Sequence, residues 1–499
     1  MKSIYYEILN PKNLRYNIVF CSIICYCLTA IFSVGFHHED EHYQIIEFAE
    51  HRAGHIDQVT WEYGAKIRPS IQPVICLILF KIIRWAGIDD HFTMATVLKL
   101  LSGVLSIFII NVFVKNYQTK VDAKFSGIFI CFSFLLWFLP YIAVRFSSES
   151  FSALFCLLVI SKAINLQKSA KHADYLLFGI FAGSAIMLRL QCSALIFGVI
   201  LWLIIVEKVK ISKCLIIAGI MMLTILTGVF IDYLFYGTFT LTAYNYFDYN
   251  LVKGVANDFG IEPWYKIFQY TVEGPGPIFG ILTFFSLVLV GVFDRKNVLL
   301  WAVIPFILIH TISPHKELRF LFTIAFLAPG IIIKGLEIID LKIASFNNVF
   351  SNTLYTILFS LNLIGLLTVC TKSPRNGQTE IAYFIGHKYN AKQINLLCSF
   401  DNNPFDPTIN YKHQFYKVES LRVTEINSIW DKNLPRLIDN KSVNLLLINN
   451  SEYTGLKSLS RLKDLRMVKV KGTDNIFIRF VLGVYGIDCD KQLQLYEYN

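Results

Sequence analysis

The sequence predicts an all-α polytopic membrane protein with about 11–13 transmembrane helices and a small C-terminal extramembrane α/β domain. Of the 499 residues, 55% are hydrophobic and 16% are charged, whereas soluble domains carry roughly 25% charged residues. Long apolar runs recur over about the first three quarters of the chain, and the composition becomes polar and mixed from about residue 373. These observations exclude an ordinary soluble enzyme.

The net charge of +10 comes from basic residues that lie mainly in short hydrophilic breaks between apolar runs. Such residues are typical of cytoplasmic membrane loops, so the positive charge is interpreted as a signal of membrane topology rather than of nucleic-acid binding.

The first apolar run, 17–36, follows Lys2, Lys12 and Arg15. No small-residue cleavage site follows it, so we expect a retained helix with a cytoplasmic basic flank.

The later apolar runs are predicted spans. Several are shorter than the roughly 20 residues that a straight span needs, so broken or re-entrant helices are expected. The runs lie at 71–88, 92–114, 125–144, 150–165, 174–188, 193–206, 214–235, 277–293, 298–312, 320–333 and 351–371.

Two long breaks interrupt the runs, a first loop at 37–70 and a second large loop at 236–276. Both are predicted to face the lumenal or periplasmic side.

We predict a membrane domain over 1–372 and an extramembrane domain over 373–499. Strand-like runs at Val443 to Ile448 and Asn475 to Val481 indicate an α/β fold for the second domain.

The first loop opens with a cluster of acidic and imidazole side chains, His37 to His42, directly after an apolar span. Charges inside a bilayer cost roughly 2.5–3.5 kcal/mol each, so the cluster is expected at the membrane boundary. A solvated loop end explains any one of these residues. Three adjacent carboxylates instead favour a proton acceptor, because neighbouring like charges raise the pKa of at least one of them.

The segment after this cluster predicts an amphipathic helix that lies on the membrane surface and holds Asp40 and Glu41 at its N-terminus. Its predicted polar face consists of Gln44, Glu47, Glu50 and His51, and its apolar face of Tyr43, Ile45, Ile46, Phe48, Ala49 and Ala53.

A competing motif uses the same residues. His38-Glu39-Asp40-Glu41-His42 satisfies H-E-x-x-H, in which two histidines one helical turn apart bind zinc and the glutamate activates water. The alternative function is therefore a zinc-dependent membrane metalloprotease. No clear third ligand follows at a family spacing, so the pattern is weak.

Further polar groups interrupt apolar sequence. Trp61 and Arg68 precede a predicted span as interfacial anchors, or else provide an aromatic ring for a sugar and a guanidinium for a phosphate. The other groups are explained as loops when taken singly, but together they form a cation-rich rim that suits an anionic lipid donor and a hydroxyl acceptor. They are Arg145 with Ser147, Ser148 and Glu149; Arg189 with Gln191; and Ser313 to Phe320.

The pattern resembles the polyprenyl-phosphate-sugar-dependent glycosyltransferases of the GT-C type, most closely the dolichyl-phosphate-mannose-dependent α-mannosyltransferases of GPI-anchor and lipid-linked-oligosaccharide synthesis and their bacterial relatives. That family's first loop reads H-P-D-E-x-x-Q, then T-W-E-[WYF] and [IL]-R-[SP]. Its later signatures include R-T-x-S-N, R-x-[TQ], D-x-x-F-Y-G, Y-G-x-x-P-W and H-K-E-x-R-F. The similar residues are His38, Asp40, Glu41, Gln44, Thr60 to Tyr63, Ile67 to Pro69, Arg145 to Glu149, Arg189 to Gln191, Asp232 to Gly237, Phe259 to Tyr265 and His315 to Phe320.

The chain departs from the family pattern at two places. Glu39 stands where the family has a proline, which removes a rigid turn before Asp40. The tail beyond about residue 373 shows little similarity, so the acceptor that it helps to select stays open.

The resemblance implies transfer of a hexosyl unit, most simply mannose, from a polyprenyl or dolichyl phosphate to a hydroxyl of a glycan or glycolipid. It implies that Asp40 is the catalytic base and that Glu41 orients the acceptor or shares the proton. Direct displacement on a β-linked donor would invert to an α-glycoside, and no metal or cofactor is implied. Donor-phosphate contacts are assigned to Arg68, Arg189, His315, Lys316 and Arg319; acceptor or sugar contacts to His38, Gln44, Trp61, Glu62, Arg145 and Glu149.

The compartment and two further functional classes stay open. The resemblance places the protein in a bacterial inner membrane with a periplasmic active site, or in the endoplasmic reticulum membrane with a lumenal one. A transporter would need charged residues along a mid-membrane path, whereas here they gather at span ends. A flippase or a noncatalytic partner with the same fold is the remaining class.

Overall fold

A computed structural model describes residues 11–166, 172–343, 348–390, 392–405, 414–453, 456–473 and 491–498. The strand predicted at Asn475 to Val481 lies outside these residues. The chain divides into two compact units. The large unit comprises Met1–Thr29, Trp61–Cys76 and Lys99–Leu366, and the small unit comprises Ala30–Thr60, Leu77–Leu98 and Leu367–Asn499. The domain boundary at 372 and 373 stays a prediction.

The helices of the large unit alternate long apolar segments with short connecting helices. Its α-helices are Trp61–Ala65, Ser126–Leu135, Leu139–Ala143, Ser148–Leu166, His172–Leu188, Cys192–Ile205, Ile211–Tyr236, Thr242–Phe247, Lys266–Glu273, Pro277–Phe293, Val298–Ile312, Phe322–Ala325 and Ala328–Ile338; four more helices, Pro11–Phe32, Ile71–Trp85, His91–Tyr117 and Asn348–Thr371, run through the boundaries between the units.

Membrane crossing is supported by length and composition. Five helices in the described part of the chain are long and apolar enough to span a bilayer, and each of two bent pairs adds one more if counted as a single span. The bends are 117° between Pro277–Phe293 and Val298–Ile312, and 70° between Leu318–Ala325 and Ala328–Ile343. The chain is therefore a multi-pass membrane protein whose broken helices agree with the short predicted runs. The count of about 11–13 spans stays a prediction.

Close helix packing in the large unit depends on a G-x-x-x-G spacing. A Cβ at Gly179 would lie 2.7 Å from the Ile220 side chain, and one at Gly183 would lie 2.7 Å from that of Thr224. Glycine removes both clashes, so His172–Leu188 approaches Ile211–Tyr236 closely. Such close contacts stabilise helix association inside a membrane, where burying apolar side chains gains little because the surrounding lipid is also apolar.

Among the described residues, the C-terminal part of the small unit forms a five-stranded sheet, which confirms the predicted α/β domain. Its strands are β1 (Ile394–Cys398), β2 (Leu421–Glu425), β3 (Val443–Asn449), β4 (Met467–Gly472) and β5 (Leu493–Tyr498). Their order is β2-β1-β3-β5-β4; β1 is parallel to β2 and β3, and β5 is antiparallel to β3 and β4. The central strands are buried because apolar side chains cover both faces. The helix Gln378–Lys388 packs on one face.

Candidate active site

The predicted site residues divide between the two units. His38, Asp40, Glu41 and Gln44 belong to the small unit, and the other predicted residues belong to the large unit.

In the small unit, Asp40 and Glu41 lie in the first turn of a helix that we call the first-loop helix, Glu39–Ala53. The backbone N–H of Asp40 donates to Nδ1 of His38 at 3.2 Å, so the histidine caps the helix. Glu41 is buried, and its Oε2 accepts the backbone N–H of His37 at 2.9 Å.

The predicted polar face of this helix is not exposed to water, while its position on the membrane surface stays a prediction. Every residue from Glu41 to Glu50 is buried, including Gln44 and the acids of the predicted polar face. Glu50 accepts two hydrogen bonds from Arg84, at 3.0 and 2.5 Å, and lies 3.1 Å from His55. A polar face can be buried when each charge finds such a partner, and helical periodicity alone does not distinguish that case from exposure to water.

Glu47 is the second buried acid of the first-loop helix. Its Oε1 accepts the backbone N–H groups of Gln414 and Phe415, at 3.1 and 3.4 Å, and lies 3.2 Å from Nε2 of His42. Burial raises the pKa of Glu47 to about 7, with the two backbone hydrogen bonds opposing the shift. Burial also lowers the pKa of His42 to about 3, so this histidine is neutral at physiological pH.

The raised pKa of Glu47 predicts a stability that depends on pH. Unfolding returns the carboxyl to its ordinary pKa of 4.5, so above that pH the folded state binds more protons than the unfolded state. Glu47 should therefore contribute a fall in the free energy of unfolding, by at most about 3 kcal/mol, as the pH rises from about 4.5 to about 7. His42 contributes a rise up to about pH 6.5, because its lowered pKa means that the unfolded state binds more protons at this group. Thermal unfolding in detergent over this range isolates the contribution of Glu47. The free energy of unfolding should rise more steeply with pH in Glu47→Gln than in wild type, whereas the exposed control Glu419→Gln should follow wild type. An unchanged slope in Glu47→Gln would contradict the prediction.

The zinc interpretation of His38 and His42 has no support. Nδ1 of His38 accepts a backbone N–H, and Nε2 of His42 lies against Glu47. Among the residues that the structure describes, no group of three or more His, Cys, Asp or Glu side chains is placed to hold a metal ion. A catalytic zinc needs three protein ligands.

In the large unit, residues that are distant in sequence form one charged cluster, which we call the cation network. Nη1 of Arg189 donates to Oε1 of Glu149 at 2.6 Å, and Nη1 of Arg319 donates to the same oxygen at 3.2 Å. Arg319 also pairs with Glu317, whose Oε1 lies 2.7 Å from Nε2 of His315. The structure thus brings together two groups of the predicted cation-rich rim: Arg189, which follows the helix His172–Leu188, and the H-K-E-x-R-F segment.

Aromatic and backbone groups shape the cation network further. The guanidinium carbons of Arg189 and Arg319 lie 5.0 and 5.5 Å from the ring centre of Phe320, within cation–π distance. The hydrogen bond to Glu317 raises the pKa of His315. Lys316 is buried and donates to the backbone carbonyls of Glu262 and Ser313; burial lowers its pKa.

The other predicted residues of the large unit have different surroundings. Arg145 is fully buried, 4.3 Å from the ring centre of Tyr141. The guanidinium of Arg68 lies 5.6 Å from the ring centre of Tyr246, a residue that accepts a hydrogen bond from Gln191. Glu62 is buried, whereas Trp61 is partly exposed and lies 5.7 Å from the ring centre of Tyr249.

Sequence reasoning assigned no role to two acids of the large unit, although both lie in segments that resemble family motifs. Glu317 connects His315 to Arg319, and its position inside the H-K-E-x-R-F segment was an available signal. Asp232 is buried at the end of a long apolar helix, where a lone carboxylate needs specific partners. It accepts the backbone N–H and the hydroxyl of Ser70, at 2.7 and 2.6 Å, and the hydroxyl of Thr242 at 2.8 Å.

Asp232 is expected to hold the start of the helix Ile71–Trp85 in place. Asp232→Ala would leave three buried donors without their acceptor, which should lower the free energy of unfolding by about 2–4 kcal/mol. Thermal unfolding in detergent measures the loss. The matched control is Asp248→Ala, which removes a more exposed pair with Lys253 and should change stability by less than about 1 kcal/mol. Equal effects of the two variants would contradict the assigned role.

The comparison with protein families identifies the chain. The profile of the Alg9-like mannosyltransferase family matches residues 17–336, more than half of the sequence. The chain belongs to the Alg9-like mannosyltransferase family. This confirms the resemblance that the motifs indicated, and all of the predicted site residues lie inside the matched segment.

Individual relatives of this Alg9-like protein are distant. It is 23% identical over 312 residues to GPI mannosyltransferase 3 of Candida albicans, covering 61% of each chain. It is 22% identical over 294 residues to GPI alpha-1,2-mannosyltransferase 3 of Homo sapiens, covering 57% of this chain and 51% of the human protein. The chain therefore matches between about half and three fifths of the length of these relatives.

A solved structure supports the fold. The crystal structure of ArnT from Cupriavidus metallidurans bound to undecaprenyl phosphate aligns with a TM-score of 0.50 and 10% identity, over 97% of each chain. At this identity the likeness concerns the fold alone, and it confirms the predicted GT-C-like class.

Proposed function

We propose that this protein transfers a mannosyl residue, or a closely related hexosyl residue, from a polyprenyl or dolichyl phosphate to a hydroxyl of a glycan or glycolipid. Family membership supports the sugar. The cation network supports the donor, because three buried or nearly buried cations, Arg189, Arg319 and Lys316, outnumber the carboxylates Glu149 and Glu317. Such an excess suits an anionic leaving group.

One observation carries the donor assignment. Within the described residues, the buried Nε of Arg189 has no hydrogen-bond partner. An unsatisfied buried donor is costly in a folded protein, and a ligand oxygen is the simplest group to satisfy it. Nη1 of Arg189 already donates to Glu149, and a phosphate oxygen is a suitable acceptor for the remaining Nε–H of the same guanidinium. We assign Arg68, Arg189, His315, Lys316 and Arg319 to the donor phosphate on this basis and on the family motifs.

The proposed reaction is a single displacement. The acceptor oxygen attacks the anomeric carbon, the bond from that carbon to the phosphate oxygen breaks, and the polyprenyl phosphate leaves with the bonding electrons. Asp40 takes the acceptor proton, while Glu41, held by the His37 N–H, orients the acceptor. A β-linked donor then gives an α-linked product. The remaining predicted residues, His38, Gln44, Trp61, Glu62, Arg145 and Glu149, would shape the acceptor and sugar sites.

The acceptor and the membrane belong to the same proposal. The names of the relatives support a GPI-type glycolipid as the first acceptor to test. The proposed location is a bacterial inner membrane with a periplasmic active site, or the endoplasmic reticulum membrane with a lumenal one.

The deciding experiment is a transfer assay with purified full-length protein in detergent. Radiolabelled polyprenyl-phosphate mannose is supplied with mannosylated glycolipid acceptors, and GDP-mannose serves as the control donor. We expect a labelled glycolipid from the lipid donor only, sensitive to α-mannosidase. No transfer from any polyprenyl donor, across short and long prenyl chains, would overturn the proposal, and a β-linked product would overturn the inverting displacement.

A further inference from the structure

The C-terminal domain contacts the first-loop helix through an arginine in a strained turn of the small unit. Arg375, Asn376 and Gly377 have φ values of 49°, 55° and 83°, so three consecutive residues adopt the left-handed conformation. This conformation is unfavourable for residues other than glycine. It persists only where the surrounding structure holds it, and such positions cluster at functional sites.

The sheet of the C-terminal domain holds this turn. The carbonyl of Asn376 accepts the hydroxyl of Thr473 at 2.9 Å, directly after β4, and its side-chain oxygen accepts from Gln492 at 3.4 Å, directly before β5. A Cβ at Gly377 would lie 2.4 Å from the Thr473 side chain, so only glycine fits there. The strain is therefore balanced by contacts with the ends of two strands.

The turn presents Arg375 to the start of the first-loop helix. Nη1 of Arg375 pairs with Oε1 of Glu39, and its guanidinium lies 5.3 Å from the ring centre of Phe36. Both partners of the ion pair are mostly shielded from water, with side-chain exposures of 19% and 28%. Burial would raise the pKa of Glu39, but Arg375 and His38 together hold it below its usual value.

The ion pair continues towards Asp40 through His38. Because Nδ1 of His38 accepts the backbone N–H of Asp40, the ring proton is assigned to Nε2. Nε2 lies 3.6 Å from Oε2 of Glu39, and Nδ1 lies 3.6 Å from Oδ1 of Asp40. A movement of Glu39 would therefore turn the His38 ring and disturb the cap that positions Asp40.

The backbone at this point would also accept a proline in place of Glu39. Glu39 is the first helical residue after the cap, the position where proline is favoured. The preceding His38 has φ −135° and ψ 154°, the extended conformation that a following proline requires. Glutamate at this position lacks the rigidity of proline, but its carboxylate forms an ion pair with Arg375 of the C-terminal domain.

We propose that Arg375 is a positioning residue for the proposed transfer reaction: through Glu39 and His38, the C-terminal domain fixes the geometry of Asp40. This proposal rests on the proposed function only for the role of Asp40. The coupling between the tail and the first loop is a separate, physical claim about the small unit, and it can be measured without any substrate.

The test combines hydrogen exchange with kinetics on the full-length protein. Arg375→Ala should speed amide exchange across residues 36–44 and lower kcat by about 10- to 100-fold, with KM for the donor within about threefold of wild type. Arg375→Lys keeps the charge and should be intermediate. The matched control is Lys471→Ala, which breaks an ion pair with Glu380 inside the same domain and should leave both readouts unchanged.

A proline at position 39 separates positioning from general stability. In a Glu39→Pro background the first turn is rigid without the ion pair, so adding Arg375→Ala should have no further effect on kcat or on exchange. An equal loss in both backgrounds would overturn the proposal, as would unchanged exchange in Arg375→Ala. If wild-type protein transfers no sugar from any donor, the proposed function fails, while the exchange data still decide the coupling.

Discussion

Replacing Asp40 with asparagine should lower the rate of sugar transfer by about 10²- to 10⁴-fold, the contribution expected of a general base. Asparagine has nearly the same shape and still accepts hydrogen bonds, but it cannot take the acceptor proton. The Asp40 side chain is 23% exposed, so the substitution leaves no charged group buried without its partner. The measurement is initial transfer rate at saturating donor and acceptor.

The matched control for this variant is Asp89→Asn, which removes a carboxylate that is 83% exposed and pairs with Arg84. It should transfer sugar at the wild-type rate, and both variants should keep the wild-type unfolding temperature. Wild-type activity in a folded Asp40→Asn protein would reject this residue as the base and turn attention to Glu41.

Arg319→Ala should produce the second large loss, because it removes a cation assigned to the leaving phosphate. Removing one preorganised group that stabilises developing charge costs about 10²- to 10³-fold in kcat. Arg319 is a better test than Glu149. After its removal Glu149 still pairs with Arg189 and Glu317 still contacts His315, whereas removal of Glu149 would leave buried arginines without a carboxylate.

A binding measurement distinguishes a phosphate contact from a general structural role. Polyprenyl phosphate, the proposed leaving group, should inhibit wild-type protein, and Arg319→Ala should weaken that inhibition about tenfold or more. Arg319→Lys should restore part of it, since the charge remains and the planar fork is lost. The exposed Arg295 provides the control variant, Arg295→Ala. Equal inhibition of wild type and Arg319→Ala would remove Arg319 from the donor site.

The H-K-E-x-R-F segment illustrates how far sequence patterns reach. His315 and Arg319 were predicted as donor contacts from the family resemblance and from their position, and the structure brings them into one network with Arg189. Glu149 was predicted for the acceptor side, and in the structure it accepts from both arginines; its role in sugar binding stays a prediction. A sequence pattern indicates which residues carry charge, but pairing depends on which helix ends meet.

The first-loop helix illustrates where the patterns stop. Periodicity predicted a helix with Asp40 and Glu41 at its start, and the structure has one. The same periodicity predicted a polar face exposed to water, which was wrong. The face is buried because Arg84 and the backbone around Gln414 provide hydrogen-bond partners for Glu50 and Glu47. Neither partner is near these acids in sequence, so no local signal could have revealed them.

The sequence by itself determined the membrane class, the family and the residue types at the candidate site, because hydrophobic run length and short motifs are local properties of the chain. Only the tertiary structure decided which charges are paired and that, among the described residues, the Nε of Arg189 is buried without a hydrogen-bond partner. It also brought Arg375, from a tail with little similarity to the family motifs, onto Glu39. The energy of a buried charge depends on neighbours within a few ångströms, and those neighbours are set by folding rather than by sequence distance.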